Sequence, residues 1–107
     1  MYAFNYHRPS SLAEALALLK GAEDGKFMAG GQTLIPTLKQ RLAMPSDVID
    51  LGAITELGGI AEEGGAVVVG GMTRHATVAG SDLVKAEIPA LAELAEIIGD
   101  PQVRNRG

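Results

Sequence analysis

The sequence contains no cysteine and no tryptophan. Without thiols the chain itself forms no disulfide, holds no thiolate zinc, ligates no iron–sulfur cluster and offers no cysteine nucleophile. Aromatic residues are limited to two Tyr and two Phe, too few for the row of stacking faces that grips single-stranded nucleic acid. Positive charge is short as well. Nine Lys and Arg stand against 13 Asp and Glu, a formal net charge of −4, whereas a nucleic-acid binder carries a basic patch or stripe. No apolar run approaches the roughly 18 residues a membrane helix needs. Residues 1–6 have neither the basic n-region nor the apolar h-region of a secretory signal. These absences lead to the expectation of a soluble, cytoplasmic chain that binds no nucleic acid.

Glycine is what the sequence has in excess. It supplies 14 of 107 residues, roughly twice the usual share near 7%. Many stand in pairs, at Gly30-Gly31, Gly58-Gly59, Gly64-Gly65 and Gly70-Gly71. Paired glycines between apolar runs mark tight turns or close approaches of backbone. The remainder, 47% hydrophobic and 21% charged, is ordinary for a globular protein of about one domain's length.

Periodicity orders the first half as strand, helix, strand, helix, strand. Residues 1–6 read as a strand. Ser11 and Glu14 form a capping box for a helix with Leu12, Ala15, Leu16 and Leu19 on one face, stopped by Gly21. Residues 26–29 are a strand. Thr33 is expected to cap a second helix with Pro36 in its first turn and Leu34, Leu38 and Leu42 on one stripe, ending near Arg41. Residues 47–51 are the third strand. Strands alternating with helices imply crossovers and a small parallel sheet. The second half reads as a hairpin, 57–61 and 66–70, joined by Glu62-Glu63-Gly64-Gly65. A short helix over 73–79 follows, then a longer one over 87–98 with Pro89 in its first turn and Leu91, Leu94, Ala95 and Ile98 inward. The tail from Gln102 completes no element.

The local candidate for chemistry is Ala29-Gly30-Gly31-Gln32-Thr33-Leu34. A strand ends, two glycines follow, and a helix begins; such backbone exposes N–H groups that bind phosphate. Gly-Gly before a helix is more often a turn and nothing else. There is no Gly-x-x-x-x-Gly-Lys-Ser/Thr and no Gly-x-Gly-x-x-Gly, so P-loop and Rossmann signatures are absent. His7 and His75 have no partner at metal-ligand spacing and read as surface or hydrogen-bonded histidines. Glu62-Glu63 reads as a solvated hairpin tip, Glu93 and Glu96 as a solvated helix face. Arg74-His75 reads as a helix-start surface position, and Arg104 and Arg106 as a charged tail.

Three segments together resemble one family: Ala29-Gly30-Gly31-Gln32-Thr33-Leu34-Ile35-Pro36 with Leu38-Lys39-Gln40-Arg41-Leu42-Ala43; Gly70-Gly71-Met72-Thr73-Arg74-His75-Ala76; and the stretch from Ile98-Gly99-Asp100-Pro101 through Arg104-Asn105-Arg106-Gly107. The opening Phe4-Asn5-Tyr6-His7-Arg8-Pro9 and the pattern Ser11-Leu12-Ala13-Glu14-Ala15-Leu16 fit too. In order and without large gaps, they resemble the FAD-binding medium subunit of molybdenum hydroxylases, the carbon monoxide dehydrogenase and xanthine dehydrogenase group.

The resemblance implies an α+β fold of the PCMH type that binds FAD. A parallel β-α-β-α-β subdomain is expected over 1–55, and the beginning of a second FAD-binding subdomain, incomplete, over 56–107. It implies that Phe27, Met28, Ala29, Gly30, Gly31, Gln32, Thr33 and Leu34 contact the flavin cofactor, that Ile98 approaches the flavin, and that no residue here is catalytic. It implies an oxidoreductase subunit passing electrons from iron–sulfur clusters through FAD to an external acceptor. Its partners would be a molybdopterin-containing large subunit and an iron–sulfur small subunit. Relatives carry a second glycine loop just after Arg-Asn-Arg-Gly, the point where this chain ends. The chain is therefore expected to be the leading part of such a subunit and to bind FAD weakly or not at all alone. The rival expectation is a flavin-domain remnant that serves as a non-catalytic binding or self-association module.

Overall fold

A computed structural model describes all residues, 1–107. The chain divides into two compact units, Met1–Thr55 and Glu56–Gly107.

The first unit holds β1 (Asn5–His7), α1 (Leu12–Gly21), β2 (Gly25–Met28), α2 (Leu34–Lys39) and β3 (Asp47–Asp50). The strands form a parallel sheet in the order β1-β3-β2. In register, Tyr6 and Lys26 flank Val48, and His7 and Phe27 flank Ile49. Val48 and Ile49, on the central strand, are fully buried, and Ala15, Leu38 and Ile54 close the core around them. The expected β-α-β-α-β order and parallel sheet are present.

Helix α1 starts as its capping box dictates. Ser11 Oγ accepts from Glu14 N at 3.2 Å, while Glu14 Oε2 reaches back to Ser10 N, also at 3.2 Å. Its inward stripe is shifted from the expected one. Ala15 is buried and Leu18 and Leu19 half-buried, whereas Leu12 and Leu16 are exposed. The helix packs on β2 and β3 through that rotated face. Helix α2 stops earlier than expected. Arg41, at φ 56°, takes the left-handed position that closes a helix. Arg41 N donates to Leu38 O and Leu42 N to Thr37 O, each at 3.1 Å. Leu42 therefore lies beyond the helix and is exposed, and the expected Leu34–Leu38–Leu42 stripe does not form. The Arg41 guanidinium stands over the Tyr2 ring, 5.3 Å from its centroid.

The second unit opens after a 3₁₀ turn (Thr55–Leu57) with a hairpin of β4 (Ile60–Glu63) and β5 (Ala66–Val69). Gly64 and Gly65 form its two-residue tip at φ 57° and 80°, the conformation that right-twisted hairpins select and that glycine supplies without strain. Helices α3 (His75–Gly80), α4 (Asp82–Glu87), α5 (Pro89–Glu96) and α6 (Pro101–Arg104) follow. Val78, Val84, Ala92 and Ala95 form the core, with Ile60, Val67, Ala79 and Leu91 packed on it. The expected helix over 87–98 is shorter and preceded by α4, which Ser81 caps by accepting from Val84 N at 3.2 Å. Leu94, expected inward, is exposed. The tail does complete an element: Asp100 caps α6, accepting from Val103 N at 2.8 Å.

Candidate functional site

β2 ends at Met28 and α2 begins at Leu34, so residues 29–33 form a loop at the carboxyl end of the parallel sheet. Ligands of open parallel sheets bind at that end. The loop's entry is tied to the central strand, because Leu51 N donates to Met28 O at 2.9 Å. Gly31 adopts φ 78°, and a Cβ there would stand 2.6 Å from Ile35 Cδ1. Its carbonyl accepts from Ile35 N at 3.0 Å and starts the helix. None of the six amides of residues 29–34 donates to another group of the chain. A helix of six residues has a small dipole, so these backbone donors, rather than the helix axis, are what the loop offers to an anion.

The eight expected contact residues from Phe27 to Leu34 lie in this one segment. Phe27, Ala29, Gln32 and Thr33 are exposed; Met28, Gly30, Gly31 and Leu34 are half-buried. Thr33 departs from expectation. It stands at φ −104°, ψ −47° with no side-chain capping bond, because a residue already in the helical region cannot turn its hydroxyl back to the amides that follow. Its carbonyl instead accepts from Thr37 Oγ1 at 2.8 Å. Ile98 belongs to the second unit, where it is half-buried and its carbonyl accepts from Arg104 Nη1 at 3.0 Å. Arg104 thus closes the end of the α5 segment rather than lying free in a charged tail.

Sequence reasoning missed a polar cluster at the same end of the sheet. Asp50, the last residue of β3, accepts from Tyr6 Oη at 2.5 Å through Oδ2 and from Gly52 N at 2.8 Å through Oδ1. Arg8 Nε stands 3.7 Å from Oδ2. The hydrogen bond to Asp50 holds the Tyr6 phenol above its ordinary pKa. The available signal was an acid closing one strand and an arginine directly following another. At the start of β3, Asp47 accepts from Ser46 Oγ at 2.6 Å and pairs with His7 Nε2 at 2.8 Å. The Ser46 hydroxyl first, and His7 next, hold the Asp47 carboxyl below its ordinary pKa. His7 is thus a hydrogen-bonded histidine, as expected. Beside it, α1 and the sheet enclose a cleft of about 370 Å³ lined by His7, Glu14, Leu18 and Asp47, among others.

The glycine loop fits the diphosphate of FAD. Its donors are unpaired, residues 27–34 include no acidic side chain, and the space a Cβ would fill at Gly31 is taken by the Ile35 side chain, which keeps this position bare.

The chain is 50% identical over 105 residues to the carbon monoxide dehydrogenase medium chain of Hydrogenophaga pseudoflava, covering 97% of this chain and 37% of that one. It is 44% identical over 105 residues to the nicotine 6-hydroxylase medium subunit of Paenarthrobacter nicotinovorans, covering 98% and 37%. Among solved structures, carbon monoxide dehydrogenase from Hydrogenophaga pseudoflava matches with a TM-score of 0.93 at 50% identity, covering 97% of this chain and 37% of that chain. The chain therefore spans just over a third of the length of these relatives. The family model described as the FAD binding domain in molybdopterin dehydrogenase matches residues 2–107. The chain belongs to that family, and the cofactor of the family is FAD.

Proposed function

We propose that this chain carries one diphosphate-binding loop of the FAD site in the medium subunit of a molybdenum hydroxylase. The observation that carries the reading is the run of unpaired amides at residues 29–34, opened by a glycine at φ 78°. Bound FAD would supply the electron chemistry, and the protein positions it. Within this chain the backbone of residues 29–34 holds the diphosphate, and Phe27, Met28 and Leu34 supply apolar surface beside it. Ile98, in the second unit, is assigned an approach to the flavin ring. The subdomain reading, one FAD-binding unit over 1–55 and the start of another over 56–107, belongs to the same proposal.

The parent complex would join a molybdopterin-containing large subunit and an iron–sulfur small subunit to this one. Electrons would enter from the clusters and leave to an external acceptor, in the cytoplasm. Zero cysteines here are consistent with the clusters lying on another chain.

Titration of the chain with FAD, ADP and riboflavin, followed by flavin fluorescence and by competition, tests the reading. FAD and ADP are expected to compete for one weak site, and riboflavin, which has no phosphate, to bind far more weakly. Equal binding of riboflavin and FAD would remove the diphosphate loop from the reading.

A further inference from the structure

The glycine loop presents neutral amides, yet the diphosphate it is read to hold carries two negative charges on a chain whose own net charge is −4. The first unit contains five cations: Arg8, Lys20, Lys26, Lys39 and Arg41. Topology sorts them. Each helix runs back from the carboxyl end of the sheet to its amino end, because the strands it links are parallel. Lys20 closes α1, and Lys39 and Arg41 close α2, so all three stand toward the amino end. Arg41 is further occupied by Tyr2, which precedes β1. Lys26 lies within β2 and its Nζ is 2.8 Å from Asp24 Oδ1. Arg8 alone follows a strand and stands at the carboxyl end, with the glycine loop.

Its setting leaves its donors free. The Arg8 side chain is 57% exposed, and its single ionic contact is through Nε, at 3.7 Å from Asp50 Oδ2. Neither Nη atom has a hydrogen-bond partner within the chain. Nη2 lies 3.6 Å from the point where a Cβ on Gly52 would stand. Gly52 follows β3, the strand between β1 and β2, so the guanidinium leans across the central strand's end toward the side where the loop begins. Neighbouring strands are about 4.8 Å apart, which puts the ends of β1 and β2 about 10 Å from each other. An arginine leaning over the middle strand spans much of that distance. Asp50 stands at ion-pair distance from one edge of the guanidinium, while Tyr6 and Gly52 N hold Asp50 itself. A planar fork with an acid beside one edge and its other donors open can meet phosphate oxygens with those donors.

We infer that Arg8, beside Asp50, is the cationic anchor for the diphosphate held by the glycine loop. The inference rests on the diphosphate reading of that loop. Arg8 contributes what the amides lack, a cationic group with open donors at the ligand's own end of the sheet.

The test is a two-dimensional ¹H–¹⁵N NMR titration of the full chain with ADP and with inorganic pyrophosphate into the millimolar range, where weak binding is visible. The Arg8 Nε–Hε signal and the amides of residues 29–34 are expected to shift along one binding curve. Arg8→Gln is expected to weaken ADP binding about tenfold, the usual scale for one charged hydrogen-bond contact, with Arg8→Lys recovering part of the loss. Loop amides that shift while Arg8 Nε stays still, or equal affinity in Arg8→Gln, would overturn the anchor and leave the loop's role standing. Failure of the loop amides themselves to shift would overturn both. The Arg8 signal of the unsubstituted chain decides the matter even if Arg8→Gln does not fold.

Discussion

Asp47 and Asp50 bracket β3, and the hydrogen bonds they make give Asp47 and Tyr6 opposite pH signatures. Folding holds Asp47 below its ordinary value of 3.8, because Ser46 and His7 favour the ionised form. Its contribution to stability is therefore complete above that value and is lost as pH falls below it through the folded-state pKa. Urea melts carried from neutral to acid pH are expected to show wild type losing more stability than Asp47→Asn, the two converging at the acid end. Asp50 acts through Tyr6, whose folded-state pKa it raises above the ordinary 10.0. The phenol's contribution is intact below that value and is lost as pH climbs through the folded-state pKa; Tyr6→Phe is expected to remove that alkaline sensitivity. Gly31 is the residue on which the loop turns. Alanine there meets a left-handed backbone, costing about 1–2 kcal/mol, and a Cβ position 2.6 Å from Ile35 Cδ1. Gly31→Ala is expected to lower stability by that amount or more in urea melts and to abolish the ADP-induced shifts of the neighbouring amides.

Helix starts separate what residue patterns reveal from what they conceal. Ser11 was legible as a cap because the helix it serves has the matching Glu14, and the bond forms at 3.2 Å. Thr33 carried only the residue-type half of that signal, with Pro36 where a capping box has Glu, and the glycine loop brings it to the helix already in helical conformation, so it caps nothing. Ser11→Ala is accordingly expected to cost about 1 kcal/mol, and Thr33→Ala close to none, as read by the urea midpoint at constant slope. The same limit explains α4 and α5. Pro89 was legible as a first-turn proline. Its effect on the preceding residue was the decisive one, since Ile88 is driven to φ −138°, ψ 68°, out of the helical region. The expected helix therefore starts at Pro89, and α4, which was not expected, ends just before it at Glu87. Leu91, Leu94, Ala95 and Ile98 made a plausible inward face by size, yet the buried residues of α5 are Ala92 and Ala95. Small side chains let a helix approach its neighbours closely, and a helix apolar on several sides does not reveal its rotation through periodicity alone.

At the scale of the whole chain, strand–helix alternation was legible because glycine, proline and capping residues punctuate each element. The loop at residues 29–34 was legible for the same reason, lying between a strand and a helix. The Tyr6–Arg8–Asp50 group was not, since it exists only once the β1–β3 register is set. That group also decides how total charge and local charge divide. A net charge of −4 repels a diphosphate over the width of the molecule, and salt screens such repulsion beyond a Debye length of about 8 Å at physiological ionic strength. A contact between Arg8 and a phosphate oxygen lies well inside that length and is screened far less. Raising salt from low to physiological strength is therefore expected to strengthen ADP binding in wild type and in Arg8→Gln alike, while the ratio of their dissociation constants stays close to its low-salt value. If Arg8 acted through net charge alone, the ratio would fall to about one as the long-range field is screened away. Dissociation constants for both chains, measured by the same titration at two salt concentrations, separate the two cases.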